Sequence, residues 1–161
     1  MMIVLYHGSN VTINKIDLSK GAVDKDFGKG FYLTDIRSQA EEMAKRRARI
    51  AGIGEPIVTG FFFDDAFLNN TELKVKVFPH EPCEEWAEFV YANRHSSETG
   101  YHHSYDIVVG PVADDGVAYQ LERYHEGAID LSTLAKELRY KKLNRQFFFG
   151  TERAIEKLRQ I

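Results

Sequence analysis

The order of strand-like and helix-like segments constrains this chain more than any other feature. Short apolar or alternating runs at residues 30–34, 57–63, 73–78, 105–110 and 145–149 read as strands, and residues 1–9 as a strand followed by a loop. Helical spacing or composition marks residues 38–51, 84–93, 117–124, 132–140 and 151–160. No regular β-α-β alternation joins the two sets. The order therefore predicts an α+β fold around a mostly antiparallel or mixed sheet, not a doubly wound parallel one. The 161 residues suit a single domain, residues 1–161, able to bury one core. No repeat, low-complexity tract or Pro/Ser-rich linker divides them.

Local signals sharpen the elements. Ser38 with Glu41 three residues on predicts a capping box. Ala40, Met43, Ala44, Ala48 and Ala51 then form an apolar helix face, read as core, while Arg46, Arg47 and Arg49 read as its solvated face. Gly52 and Gly54 end that helix. Residues 64–71 read as a turn region and residues 94–104 as a loop. Leu73, Val75 and Val77 alternate with Lys74 and Lys76, which predicts a half-buried strand. Trp86, Phe89 and Val90 should point inward from their helix, and Thr151 should cap the last one. In residues 145–149, Phe147 and Phe149 should share one face, opposite Gln146 and Phe148.

Two of the strand-like segments carry chemistry. The first ends in Tyr6-His7-Gly8-Ser9; the second lies in Asp26-Phe27-Gly28-Lys29-Gly30-Phe31-Tyr32-Leu33-Thr34-Asp35. A His can hydrogen-bond a sugar hydroxyl, and a Tyr offers a flat face for stacking. Glycine lets a planar ligand lie against bare backbone. Together these groups suit a planar carboxamide joined to a ribose. Asp26 and Phe27 read either as lining for the adenosine end of such a ligand or as turn residues. Arg94, at a helix end, is a candidate for pairing with a pyrophosphate or a substrate phosphate.

These motifs resemble the NAD-binding half of the ADP-ribosyltransferase fold, of the diphtheria toxin and poly(ADP-ribose) polymerase type. His7-Gly8-Ser9 is similar to its first motif, and Gly28-Lys29-Gly30-Phe31-Tyr32-Leu33-Thr34-Asp35 to its second. A branch of small bacterial domains of unknown function in that superfamily resembles the chain along most of its length, including Tyr105-Asp106-Ile107-Val108 and Gln146-Phe147. The resemblance implies a mixed or antiparallel sheet split around an NAD cleft, with flanking helices. It implies mono-ADP-ribosyl transfer from NAD to a protein or nucleic acid acceptor. His7 would bind the adenosine ribose, with Ser9 beside it. The Gly8 backbone would bind the nicotinamide amide, Tyr32 would stack on the ring, and Phe31 would help close the slot. An antitoxin or cognate regulator is a partner consistent with it. NAD would be the substrate, and no metal is implied.

The third family position departs from the pattern. Where the family has a Glu that binds the nicotinamide-ribose 2′-hydroxyl, this chain has Gln146, in Asn144-Arg145-Gln146-Phe147. Gln keeps hydrogen-bonding capacity but carries no charge. Loss of one electrostatic contact of this kind costs on the order of 3 kcal/mol in the transition state. His7, Tyr32 and Gln146 are thus the candidate catalytic set, with transfer weakened by Gln146. The alternatives are an inactive NAD or ADP-ribose-binding module and an NAD glycohydrolase. A processing enzyme of the same fold acting on RNA phosphate needs several cleft cations, for which Arg94 and Arg145 are the candidates.

Other classes lack support. The formal net charge of −3 gives no overall attraction to nucleic acid or an acidic membrane. Cys83 is the single cysteine, which excludes an intrachain disulfide. His95, His102 and His103 match no metal-ligand spacing. Gly28-x-Gly30 lacks the third glycine and the following helix of a dinucleotide fingerprint, and there is no Gly-x-Ser-x-Gly, Walker or His-Glu-x-x-His motif. No signal-like or membrane-spanning run occurs, so a cytoplasmic location is expected.

Overall fold

Strict alternation of buried phenylalanines organises the centre of the molecule. The computed structural model describes residues 1–70, 72–138 and 143–161. Its strands are β1 (Met2–Ser9), β2 (Phe31–Leu33), β3 (Ile57–Asp64), β4 (Val75–Val77), β5 (Ile107–Pro111), β6 (Arg145–Phe149) and β7 (Arg159–Gln160). Its α-helices are α1 (Arg37–Ala51), α2 (Glu84–Arg94), α3 (Ser96–Thr99), α4 (Asp115–His125), α5 (Leu131–Leu138) and α6 (Glu152–Ile155). The strands form two sheets, in the orders β1-β3-β7 and β2-β6-β5-β4. All pairings are antiparallel except β4 with β5. The molecule is thus α+β, with mixed pairing in the second sheet.

β6 shows why these residues make this sheet. Phe147 and Phe149 point to one side and pack with Leu5, Phe31, Phe61 and Phe63 between the two sheets. Phe148 points to the other side and packs with Trp86, Val90, Val117 and Leu121 of the helices. A strand buried on both faces reads as a continuous apolar run, as Phe147-Phe148-Phe149 does. Trp86 fits this core because its indole N–H donates to the Pro111 carbonyl at 3.1 Å.

On the outer face of the first sheet, α1 lies directly on β1. A Cβ at Gly8 would come 2.1 Å from the Ala40 carbonyl oxygen, so only glycine permits this approach. A single bridge, Tyr6–Thr34, links β1 to β2. Beyond it the two strands separate, and the gap becomes the cavity described below.

Several local expectations change. The strand at the N-terminus runs through Ser9 instead of ending in a loop. Ser38 lies inside α1, whose N-cap is Ile36 without a side-chain cap; Thr34 Oγ1 accepts from the Ile36 N–H at 3.1 Å and stabilises the turn one step earlier. Met43 is 40% exposed, because Ala40 and Ala44 occupy the contact with β1 and leave Met43 at its edge. Val77 is exposed, and the expected fourth strand is regular only over Val75–Val77, with the Phe78 N–H extending the contact to the Val109 carbonyl at 2.8 Å. Within residues 94–104 the short α3 forms where Asp24 accepts from the Ser96 hydroxyl and the Ser97 N–H, both at 2.9 Å.

The expected last helix stops at Ile155 after Thr151 caps it, and the chain then pairs with β3 as β7. The Ile161 N–H extends that pairing to the Gly60 carbonyl at 3.0 Å. The expected turn over residues 64–71 and helix over 132–140 run outside the described residues at 71 and at 139–140. Among the described residues, no helix is long and apolar enough to cross a membrane.

Candidate functional site

The gap between β1 and β2 opens into a cavity of about 460 Å³. His7, Gly8, Tyr32 and Gln146 all line it, so residues far apart in sequence meet there. The lining also includes Glu42, Arg46 and Arg47 from α1, and Asp114 and Asp115 at the start of α4.

His7 is set by two contacts. Its Nδ1 lies 2.8 Å from the Tyr32 carbonyl oxygen, and its ring stacks on Phe31 at 4.2 Å between centroids. A carbonyl only accepts, so Nδ1 carries the proton and Nε2 is left as an acceptor. Burial pushes the imidazole down to about 4, which keeps it neutral at pH 7. The charge of Arg47 acts in the same direction.

The bond from His7 also explains the open backbone beside it. The Tyr6 N–H and carbonyl both pair with Thr34, at 2.8 and 2.9 Å. Antiparallel alternation then turns the Gly8 peptide groups toward β2 as well, opposite Tyr32. In a continuous ladder the Gly8 N–H would donate to the Tyr32 carbonyl. His7 Nδ1 takes that acceptor instead, and no hydrogen bond joins Gly8 to Tyr32 among the described residues. The Gly8 peptide edge therefore faces the cavity.

The Tyr32 hydroxyl is held from behind. It donates to the Gly28 carbonyl at 2.6 Å and accepts from the Phe27 N–H at 3.0 Å. Burial raises its pKa above the ordinary tyrosine range, so it stays protonated. Its ring meets Phe148 edge-on at 5.3 Å. With the hydroxyl tied down, the ring is a fixed surface and not a proton-transfer group.

Gln146 reaches the cavity from β6, paired opposite Gly110. Its Nε2 donates to Asp26 Oδ2 at 3.1 Å. Asp26 is 8% exposed and also accepts from the Ala113 N–H at 3.0 Å and from Arg94 Nε at 2.8 Å. Arg94 Nη2 completes a close ion pair with Asp26 at 2.7 Å. Asp26 is thus neither a free turn residue nor a cavity wall. Its donors lie 68, 87 and 120 positions away, so no local pattern announces it.

Three of the candidate binding residues do not line the cavity. Ser9 is 4% exposed and its hydroxyl accepts from the Val11 N–H at 3.3 Å. Phe31 lies in the core and backs His7. Arg94 faces Asp26, not open space. Conversely, Met43, Arg46 and Arg47 border the cavity although they read as core and as a solvated helix face; α1 presents that edge of its surface to the opening. Neither Arg46 nor Arg47 has an ion-pair partner among the described residues. Arg145 also lines the cavity but pairs with Asp35 at 3.1 Å.

The remaining histidines named above have structural partners at two of three positions. His103 Nε2 donates to the Phe27 carbonyl at 2.6 Å, while its Nδ1 accepts from the Tyr105 N–H at 3.1 Å. His95 Nδ1 donates to the Tyr91 carbonyl at 2.8 Å. Among the described residues, no three His, Cys, Asp or Glu side chains gather into a metal site.

The cavity lining offers the Tyr32 aromatic ring, an unpaired peptide edge, two neutral acceptors at His7 and Gln146, the unpaired guanidiniums of Arg46 and Arg47, and the carboxylates of Glu42, Asp114 and Asp115. That set suits a polar ligand with a planar group, hydroxyl donors and an anionic portion. No curated protein matches the chain. The family model for "Protein of unknown function (DUF3990)" matches residues 3–160, and the chain belongs to that family.

Proposed function

We propose that this protein binds NAD in the cavity between β1 and β2 and transfers its ADP-ribosyl group to a macromolecular acceptor. The observation that carries the proposal is the meeting of His7, Gly8, Tyr32 and Gln146 at one cavity. In this reading the Gly8 peptide edge holds the nicotinamide amide and the Tyr32 ring stacks on nicotinamide. His7 Nε2 accepts from an adenosine-ribose hydroxyl. Gln146 accepts from the nicotinamide ribose. Arg46 and Arg47 supply the cations for the pyrophosphate, the part that the sequence suggests for Arg94. The overall fold is the ADP-ribosyltransferase fold, with the two sheets as its split halves.

The reaction breaks the bond between ribose C1′ and the nicotinamide nitrogen. Nicotinamide leaves with the electron pair, and positive charge develops at C1′. An acceptor side chain or base then bonds C1′ and loses a proton. Water in the same place makes the protein an NAD glycohydrolase. A second reading, an NAD or ADP-ribose-binding module without turnover, is favoured by the neutral Gln146 amide beside the reacting carbon.

Incubation with NAD and cell lysate, followed by mass spectrometry and measurement of free nicotinamide, separates these readings. Transfer predicts nicotinamide release and an ADP-ribosyl mass on an acceptor. Release without a modified acceptor indicates hydrolysis. Binding without release indicates the module. Absence of both NAD and ADP-ribose binding by calorimetry removes all three.

A further inference from the structure

We infer that Asp26 is the positioning residue of this cavity: it fixes the Gln146 amide so that Oε1, and not the NH₂ group, is offered to the ligand. The inference rests on the NAD reading only for the identity of that ligand.

An ionised carboxylate has no proton to donate. The 3.1 Å contact between Gln146 and Asp26 Oδ2 is therefore possible in one amide orientation only, with Nε2 toward Asp26. Asp26 cannot turn away to release it. Its Oδ1 is held by Arg94 Nε and Nη2 at 2.8 and 2.7 Å, and its Oδ2 by the Ala113 N–H at 3.0 Å. Gln146 Oε1 has no partner among the described residues, and no buried side-chain oxygen is left unpartnered there, so Oε1 is open to the cavity. The cavity at this point selects a hydroxyl or N–H donor, such as a sugar hydroxyl.

The same contact gives a reason for Gln at position 146. A glutamate there would set a second carboxylate against Asp26, and two such groups cannot both stay ionised at that separation. The negative charge of the pair lies one residue behind the cavity wall, held by Arg94, and the ligand meets a neutral acceptor.

Two measurements on the full chain test this. Nitrogen-15 NMR follows the Gln146 side-chain amide, assigned by its disappearance in Gln146→Glu. In the native protein its protons should exchange at least tenfold more slowly than those of Gln120, whose NH₂ has no hydrogen-bond partner among the described residues. In Asp26→Asn that protection should be lost. Unprotected protons in the native protein, or equal protection in both, overturn the inference whether or not NAD binds. Gln146→Glu supplies a second check if Asp26→Asn does not fold. Its thermal midpoint should fall less on going from pH 7 to pH 5 than that of Asp26→Asn/Gln146→Glu, because a proton relieves the facing carboxyls of the single variant while the histidine response is common to both. An equal or larger fall in Gln146→Glu counts against facing carboxyls. For the ligand, Asp26→Asn should bind NAD about tenfold more weakly than the native protein. Unchanged affinity in a folded Asp26→Asn overturns the positioning role. Protected Gln146 protons in a native protein that does not bind NAD support the positioning and refute the NAD reading.

Discussion

At the scale of single residues, His7 couples the cavity to pH. Its folded value of about 4 lies below the ordinary value of 6.5, because burial disfavours the imidazolium. Between those values the unfolded chain binds a proton that the folded chain does not, so stability falls as pH falls. The stabilising difference is complete above pH 6.5 and is lost as pH drops through about 4. Roughly 2.5 pH units at 1.36 kcal/mol each make this about 3 kcal/mol. His103 is also shifted down by burial, so the native acid response is not due to His7 alone. His7→Asn keeps a side-chain N–H for the Tyr32 carbonyl and removes the titrating ring. Urea unfolding at pH 7 and pH 4 should show native stability falling about 3 kcal/mol further than that of His7→Asn. Parallel losses in the two proteins would rule out His7 as the sensitive group. Protonation also converts Nε2 from acceptor to donor, so ligand affinity should weaken over the same range.

At the scale of elements, the closest helix–strand contact depends on one glycine. A Cβ at residue 8 would lie only 2.1 Å from the Ala40 carbonyl oxygen and 2.9 Å from the Ala44 nitrogen, so Gly8→Ala must push α1 off β1. Overpacking of this kind costs about 1–3 kcal/mol. Denaturant titration should find Gly8→Ala less stable by that amount, while Gly52→Ala, where nothing lies within 4 Å but φ is +67°, acts through backbone strain at the helix end alone. Unchanged stability in Gly8→Ala would contradict the packing of α1.

Elements are legible in the sequence where period and burial agree. Phe147 and Phe149 alternate with Phe148 as expected, since each face of β6 meets a separate core. Residues 151–160 carry a good cap and helical composition, which point to a longer helix than α6. The pairing that ends it, β7 with β3, comes from residues about a hundred positions earlier and leaves no local trace. Ser38 has the spacing of a cap relative to Glu41, but Thr34 already makes the turn. The motif positions His7, Tyr32 and Gln146 can be read because each sits on a short strand with glycine or alternation around it. Asp26 cannot, since all its partners come from distant segments.

At the scale of the whole molecule, the division into two sheets decides what the cavity can hold. One bridge links β1 to β2, and residues of α1 and of the start of α4 line the opening. α1 brings Glu42, Arg46 and Arg47, the start of α4 brings Asp114 and Asp115, and β6 brings Arg145. The lining therefore mixes both signs, with Glu42 on the same helix as Arg46 and Arg47, and Arg145 of β6 lining it along with Asp114 and Asp115; Arg46 and Arg47 are the cations there without an ion-pair partner among the described residues. In the proposed NAD mode, Arg46 and Arg47 are the cations left to meet the diphosphate. Arg46→Ala/Arg47→Ala should consequently weaken ADP-ribose binding, with each lost charge-assisted contact costing about 1.5–3 kcal/mol. A tenfold or larger rise in dissociation constant is expected by calorimetry. Arg49→Ala is the matched control, since it removes a cation from the same helix outside the cavity lining. Binding of nicotinamide alone should be unchanged in both variants, because in the proposed mode that part of the ligand meets Tyr32 and Gly8. Added salt should weaken native binding more than that of the double variant. If Arg49→Ala costs as much as the double substitution, the attraction is a property of the whole helix surface, and the assignment of Arg46 and Arg47 to the diphosphate is wrong.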